Sequence, residues 1–247
     1  MTGRQLFDGV AGDYDATRPD YPAQLFDAVE SGMGQPLMWS SVCDVGAGTG
    51  IASRAIAGRG ATVTAVEPGL AALSVLRSRS TSRVLAVAGD GNALPLRDKT
   101  FDLVTYAQSF HWTDPERSIA EAFRVLKQGG MLALWWNRHD LSVPWFAAHQ
   151  QRIQAACGFE GHTDEAWVAS LLTEPRWGAR VGTVEIPWSR RISIADFGRN
   201  ISTKSFLFAL PDQGAAIIAE EVARLEREHR DGFVVEPFTT YAVLARR

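Results

Sequence analysis

Residues 42–50 read VCDVGAGTG and set Asp44 before three glycines, Gly46, Gly48 and Gly50, with Ala47 and Thr49 between them. Alternating glycines let a backbone turn through positive φ and approach a ligand closely. Glu67 and Pro68 close the next apolar run, about twenty residues on, where a carboxylate can accept hydrogen bonds from both hydroxyls of a ribose. His111, in QSFHWTDPE, has an unperturbed pKa near neutrality and is the leading candidate for a proton acceptor; His139 is the next. The alternative for His111 is packing between Phe110 and Trp112 with a hydrogen bond to backbone, a structural or substrate-shaping role. Asp114, in DPER, reads as a helix N-cap rather than a base.

These residues need elements to hold them. SVCDVG reads as a strand and TGIASRAIAGRG as a helix, followed by the strand ATVTAVEP and the helix GLAALSVLRSR. RVLAVAG and FDLVTYAQ are the third and fourth strands, PERSIAEAFRVLKQGG a helix ending in two glycines, and MLALWWN the fifth strand. Strands alternating with helices predict an α/β fold with a parallel sheet covered on both faces. The first forty residues look helical, interrupted by Pro19 and Pro22. After Asn137 the alternation weakens. VPWFAAHQQRIQAACG reads as an amphipathic helix, RVGTVEIPWSRRISI as a strand broken at Pro187, DFGRNISTKSF and AAIIAEEVARLEREHRDG as helices, and TTYAVLARR as a closing strand. This division predicts an N-terminal helical segment over 1–40, a core over 41–137, and a cap with the last two strands over 138–247.

Three ligand readings compete for the glycine loop. A phosphate-gripping loop of the Walker type needs Gly-Lys-Ser/Thr, and no lysine follows Gly50. A dinucleotide fingerprint needs G-x-G-x-x-G, but the sixth position is Ile51 and the third glycine comes one residue early. The pattern D-x-G-x-G-x-G, found in enzymes that use S-adenosylmethionine (SAM), is filled at every position by Asp44, Gly46, Gly48 and Gly50. A tight turn with no ligand is the bland alternative, disfavoured by Glu67 and the strand alternation together.

From about Phe7 to Asn137 the chain resembles the class I SAM-dependent methyltransferases. VCDVGAGTG looks like their first motif and TAVEP like their ribose-binding second strand. AGDGNALPLRDKTFDLVTYAQSFHW is similar to the third and fourth motifs, and FRVLKQGGMLAL to the helix leading into the fifth strand. FDGVAGDYDATRPDYP resembles a segment of the small-molecule members, those grouped with trans-aconitate and ubiquinone/menaquinone-pathway enzymes. The resemblance implies a Rossmann-like seven-stranded sheet of order 3-2-1-4-5-7-6 with strand 7 antiparallel, helices on both faces and a cap. It implies that Gly46–Gly50 face the methionine part of SAM, that Glu67 holds the ribose, and that Asp90 accepts from the adenine amino group with Gly91, Asn92 and Ala93 nearby. Gln108 is implied near the sulfonium. Tyr14 and Arg18 would fold over SAM from the N-terminal segment, with Arg18 either pairing with its carboxylate or only capping on the surface. In the implied strand order the switch point lies between strands 1 and 4, which sets His111 beside the SAM site. The expected reaction is methyl transfer to an O or N atom of a small molecule, releasing S-adenosylhomocysteine (SAH). The alternatives are a protein or RNA acceptor, a SAM-binding protein without transfer, and an NAD-dependent oxidoreductase.

Composition bounds the partners. At 247 residues, with a formal net charge of −3, the chain offers no general electrostatic attraction for nucleic acid or an anionic membrane. Cys43 and Cys157 make neither a disulfide framework nor a zinc pattern, no metal-ligand cluster stands out, and a cytoplasmic setting without membrane insertion is the expectation. EEVARLEREHR reads as a solvated helix face or a homodimer contact. Of seven tryptophans from Trp112 to Trp188, most are expected to fill core, with one or two lining a pocket.

Overall fold

The structure is a computed structural model and describes residues 17–157, 165–202 and 211–247. Tyr14 lies outside the described residues. Among these residues the elements are α1 (Ala23–Met33), β1 (Ser41–Val45), α2 (Ile51–Gly58), β2 (Thr62–Glu67), α3 (Leu70–Arg79), β3 (Val84–Ala88) and β4 (Phe101–Ala107). A 3₁₀ turn at Phe110–Trp112 leads to α4 (Pro115–Val125) and β5 (Leu126–His139). Then come α5 (Pro144–Cys157), α6 (Ala166–Leu172), β6 (Arg180–Ser193), α7 (Ile194–Ser202), α8 (Pro211–Glu228) and β7 (Phe233–Arg246).

The seven strands form one sheet of order β3-β2-β1-β4-β5-β7-β6, with β7 antiparallel. The pairs β1–β2, β1–β4, β2–β3 and β4–β5 are parallel. Strand alternation explains the two apolar layers. Met131, Ala133 and Trp135 of β5 join Leu103, Val42 and the Leu25, Phe26, Val29 and Met33 face of α1. Leu132, Leu134 and Trp136 join Cys43, Val104, Tyr106 and the Ile119, Ala122 and Phe123 face of α4. Burial pushes the Cys43 thiol pKa upward, and the side chain acts as a small core residue.

Contact clustering divides the chain into two compact units. The described part of the first comprises 17–19, 138–157, 187–202 and 211–239; that of the second comprises 20–137, 165–186 and 240–247. Unit 2 holds the glycine loop, Glu67, Asp90, Gln108 and His111, while Arg18 and His139 belong to unit 1. Within unit 1, Phe146 of α5, Phe197 and Ile201 of α7, Leu225 of α8 and Val234 of β7 form a separate core.

Three elements differ from the sequence expectation. The helix predicted through LKQGG stops at Val125, because Leu126 already pairs with Phe101. The ladder then skips to Leu103–Met131, and Gly129 takes φ 77 inside the irregular stretch. Strand β6 runs unbroken through Pro187, tolerated because β6 lies at the edge of the sheet, where a missing N–H is least costly. Strand β7 begins at Phe233, ahead of the predicted TTYAVLARR, and carries Pro237 within it. Among the described residues no helix is long and apolar enough to cross a membrane.

Candidate active site

Strand β1 delivers the glycine loop at the carboxyl edge of the sheet, between its neighbours β2 and β4. Gly46 N and Ala47 N both donate to Val66 O, at 2.8 and 3.1 Å, so the chain leans over the end of β2 as it leaves β1. Gly46, Gly48 and Gly50 have φ of 67°, 57° and 90°, a region costly for any residue with a Cβ. Two of the three also need the space. A Cβ on Gly46 would lie 2.5 Å from Ser109 Cβ, and one on Gly50 would lie 3.0 Å from Leu76 Cγ. Nothing lies within 4 Å of a Cβ position on Gly48, so this backbone faces open space.

Glu67 ties two loops together. Its Oε2 accepts from Gly48 N at 2.9 Å and its Oε1 from Gly69 N at 2.7 Å. Beneath the loop, Asp44 is fully buried and accepts from Ser53 Oγ at 2.5 Å and Thr105 Oγ1 at 2.8 Å. It therefore bridges β1, α2 and β4. Burial raises its pKa from the ordinary 3.8 to about 6, against the lowering effect of the Ser53 and Thr105 hydroxyls, and the Glu67 charge adds to the rise.

A raised folded-state pKa means that the native state binds more protons than the unfolded chain between about 4 and 6, so stability is lost as pH climbs through that window. Asp44→Asn keeps one accepting oxygen and removes the titration. Urea unfolding at pH 5 and pH 7.5 is expected to show the variant losing less stability than the parent on raising the pH, by roughly 1.4 kcal/mol. Equal losses in both proteins would show that Asp44 ionises as freely folded as unfolded.

The turn after β3 is equally constrained. Asp90 Oδ1 accepts from Asn92 N at 2.9 Å, and Ala93 N donates to Asp90 O at 3.1 Å. Asn92 Oδ1 accepts from Asp114 N at 2.8 Å, while Ser118 Oγ donates to Gly91 O at 3.2 Å. Arg124 anchors the rest of this segment by donating to Leu94 O and Leu96 O while pairing with Glu121 and Asp98. Asp114 caps α4 by accepting from Arg117 N at 3.0 Å, with Pro115 in the first turn.

From β4, Gln108 adopts φ 59 as a non-glycine residue, donates its N–H to Trp135 O and reaches Asn137 O with Nε2 at 3.5 Å. Ser109 Oγ donates to Val45 O at 2.6 Å, locking the loop after β4 against the loop after β1. His111 follows on the 3₁₀ turn, exposed, with its ring 5.0 Å from Trp112. Desolvation lowers its pKa below the usual 6.5 while Glu165 opposes the shift, so the imidazole is neutral at neutral pH. Trp112 and Trp167 are exposed, whereas Trp135 and Trp136 are buried.

One unit thus brings together the glycine loop, Glu67, Asp90–Ala93, Gln108 and His111. His139 and Arg18 lie in the other unit, where His139 Nε2 is 3.1 Å from Glu236 Oε1 and its ring stacks on Phe146 at 4.6 Å. Sequence reasoning missed Ser53, Thr105 and Ser109, the hydroxyls that fix the loops. Ser109 alone had a signal, lying two residues beyond the end of β4.

A mixed, mostly parallel sheet with a glycine loop after its first strand and a carboxylate closing its second has the architecture of open α/β proteins whose ligand sites lie at the strand ends. Residues 43–134 match the methyltransferase domain family. The chain is 30% identical over 223 residues to an uncharacterized methyltransferase of Mycobacterium bovis, covering 90% of this chain and 86% of the relative. It is 32% identical over 160 residues to the demethylmenaquinone methyltransferase of Renibacterium salmoninarum, covering 61% of this chain and 65% of that one. A solved structure described as a type II methyltransferase of Anaeromyxobacter dehalogenans superposes with a TM-score of 0.68 at 22% identity, over 93% of this chain and 96% of that one. The chain belongs to the methyltransferase domain family. Membership and fold imply SAM as the methyl donor. The loop fits that group: Thr49 Oγ1 is buried with no hydrogen-bond partner among the described residues, beside the open face of Gly48.

Proposed function

We propose that this methyltransferase moves the methyl group of SAM to an oxygen or nitrogen atom of a small molecule. The observation that carries the reading is the grouping of Gly48, Thr49 and Glu67, an open backbone, an unsatisfied hydroxyl and a carboxylate at the ends of adjacent strands. In this reading Gly46–Gly50, with Ala47 and Thr49, cradle the methionine part. Glu67, beside Pro68, turns its carboxylate to the ribose, and Asp90, Gly91, Asn92 and Ala93 border the adenine. Gln108 lies toward the sulfonium, and Asp44 holds the loop from below. SAM supplies a methyl carbon already activated toward displacement. What the chain must add is alignment, exclusion of water and removal of the acceptor's proton. His111, neutral at neutral pH, is assigned that last role. A small acceptor is supported by the named substrate of the Renibacterium relative and by the net charge of −3, which gives no general attraction to RNA.

The test incubates the protein with methyl-labelled SAM and a cell extract separated into small-molecule, RNA and protein fractions. Label in the small-molecule fraction is expected, with His111→Ala slowing transfer at unchanged SAM affinity. Label confined to RNA or protein overturns the small-molecule assignment, and SAM binding without label anywhere overturns transfer itself.

A further inference from the structure

Helices α2, α3 and α4 lie in the connections β1–β2, β2–β3 and β4–β5, but residues 89–100, between β3 and β4, contain no helix. One face of the sheet is therefore left partly uncovered at β1, β2 and β3. Register and alternation set Ser41 beside Thr62 and Thr64 beside Leu85 on this face, with Val87 two residues further along β3. Leu85 is 63% exposed, and Thr62 is exposed as well. The chain from Pro95 to Phe101 walls the face on one side and makes it a groove of about 330 Å³, wholly within unit 2.

The lining suits an amphiphile. Leu85, Val87, Pro95, Leu96 and Phe101 give it apolar surface. The hydroxyls of Ser41, Thr62 and Thr64 make no hydrogen bond among the described residues. Arg97 is the one charged residue of the lining, and its guanidinium has neither a hydrogen bond nor an ion pair among the described residues. The acids next to the lining residues are already engaged. Asp98 pairs with Arg124 at 2.6 Å, while Asp102 accepts from Ser41 N at 2.8 Å and pairs with Lys127 at 2.9 Å.

Charge selects the ligand class. An ammonium group would be repelled by Arg97 and would find no carboxylate in the lining. A phosphate monoester carries close to two negative charges and would meet one cation. A carboxylate carries one, and its two oxygens match the guanidinium fork. Size sets the length. A cavity that takes benzene measures about 150 Å³, so a groove of twice that volume has room for roughly a dozen non-hydrogen atoms.

We propose that this groove binds an apolar monocarboxylic acid of about ten non-hydrogen atoms, its carboxylate on Arg97 and its hydrocarbon against Leu85, Val87, Leu96 and Phe101. The site stands apart from the cofactor loop, because Ser41 and Thr62 open β1 and β2 whereas the glycine loop and Glu67 lie at their opposite ends.

The test uses the full chain with labelled Leu and Val methyl groups and follows Leu85 and Val87 by NMR during titration with octanoate, octanol and octylammonium. Octanoate is expected to give saturable shifts at both residues, with a midpoint of about 0.1–10 mM. Octanol should bind about two- to fivefold more weakly, the range of an exposed ion pair, and octylammonium more weakly still. Arg97→Gln should weaken octanoate by the same factor and leave octanol unchanged, closing the gap between them. Leu85→Asp, at an exposed position, should abolish the octanoate response read at Val87. Saturating SAH should leave the octanoate midpoint in place. Equal binding of octanoate and octanol by the parent protein would show that Arg97 selects nothing. Displacement by SAH would put the ligand in the cofactor site, and shifts that follow protein concentration instead of octanoate would show that a second copy of the chain covers the groove. Each of these results, or a failure to saturate, overturns the proposal.

Discussion

Gly46→Ala is expected to destabilise the fold by about 2–4 kcal/mol, the sum of a left-handed backbone penalty and an overpacking term. The new Cβ would sit 2.5 Å from Ser109 Cβ and 2.9 Å from Ser109 Oγ. Ser109 cannot simply turn away, because its hydroxyl is held on Val45 O at 2.6 Å. Thermal unfolding should move down by roughly 5–15 °C for a chain of this size. Two controls divide the effect. Gly48→Ala, at a similar φ but facing open space, should cost only the backbone part, about 1 kcal/mol. Ser109→Gly in the Gly46→Ala background should recover the steric part, giving a clear non-additivity in the double-mutant cycle. Equal losses at Gly46 and Gly48 would mean that the contact between the loops after β1 and β4 does not constrain the protein.

Replacing Glu67 with alanine should weaken SAM and SAH binding by about 1–3 kcal/mol, roughly five- to 150-fold, as measured by calorimetric titration. Two effects add in this expectation. The ribose hydroxyls lose their acceptor, and the clasp between Gly48 N and Gly69 N opens. Both amides are only part-buried, so water can replace the carboxylate in the ligand-free protein and the loss of fold stability should be smaller than the loss of affinity. Adenosine should show the same penalty as SAM, and adenine, which lacks the ribose, should not. If all ligands bind the variant as they bind the parent, Glu67 only shapes the loop and the ribose assignment fails.

The strand alternation was legible because each central strand is a short apolar run stopped by glycine or an acidic residue, with a helix of plain spacing behind it. VCDVGAGTG and TAVEP carry that pattern without competing signals. FRVLKQGG does not, since its composition suits a helix through to the glycines, and only the pairing of Leu126 with Phe101 across the sheet ends α4 at Val125. Proline misled in the other direction. Pro187 read as a break, yet it lies within a strand of fourteen residues. In the candidate site, the positive-φ glycine turn and Glu67 at the end of β2 were visible because both depend on local spacing. Ser53 and Thr105 were not, because a hydroxyl has no spacing of its own and the groups they serve lie 9 and 61 residues away; Ser109 had only its place just after β4 to mark it.

Pro187 has a bearing on how the protein behaves in a crowded solution. A sheet that ends in a strand of fourteen residues offers a long rail of unpaired backbone on which another polypeptide could grow. Here the rail is interrupted by a residue with no hydrogen to give, and the proline denies a matching copy of the strand a continuous ladder. The terminal strand thereby closes the sheet against polymerisation without needing another element to cover it.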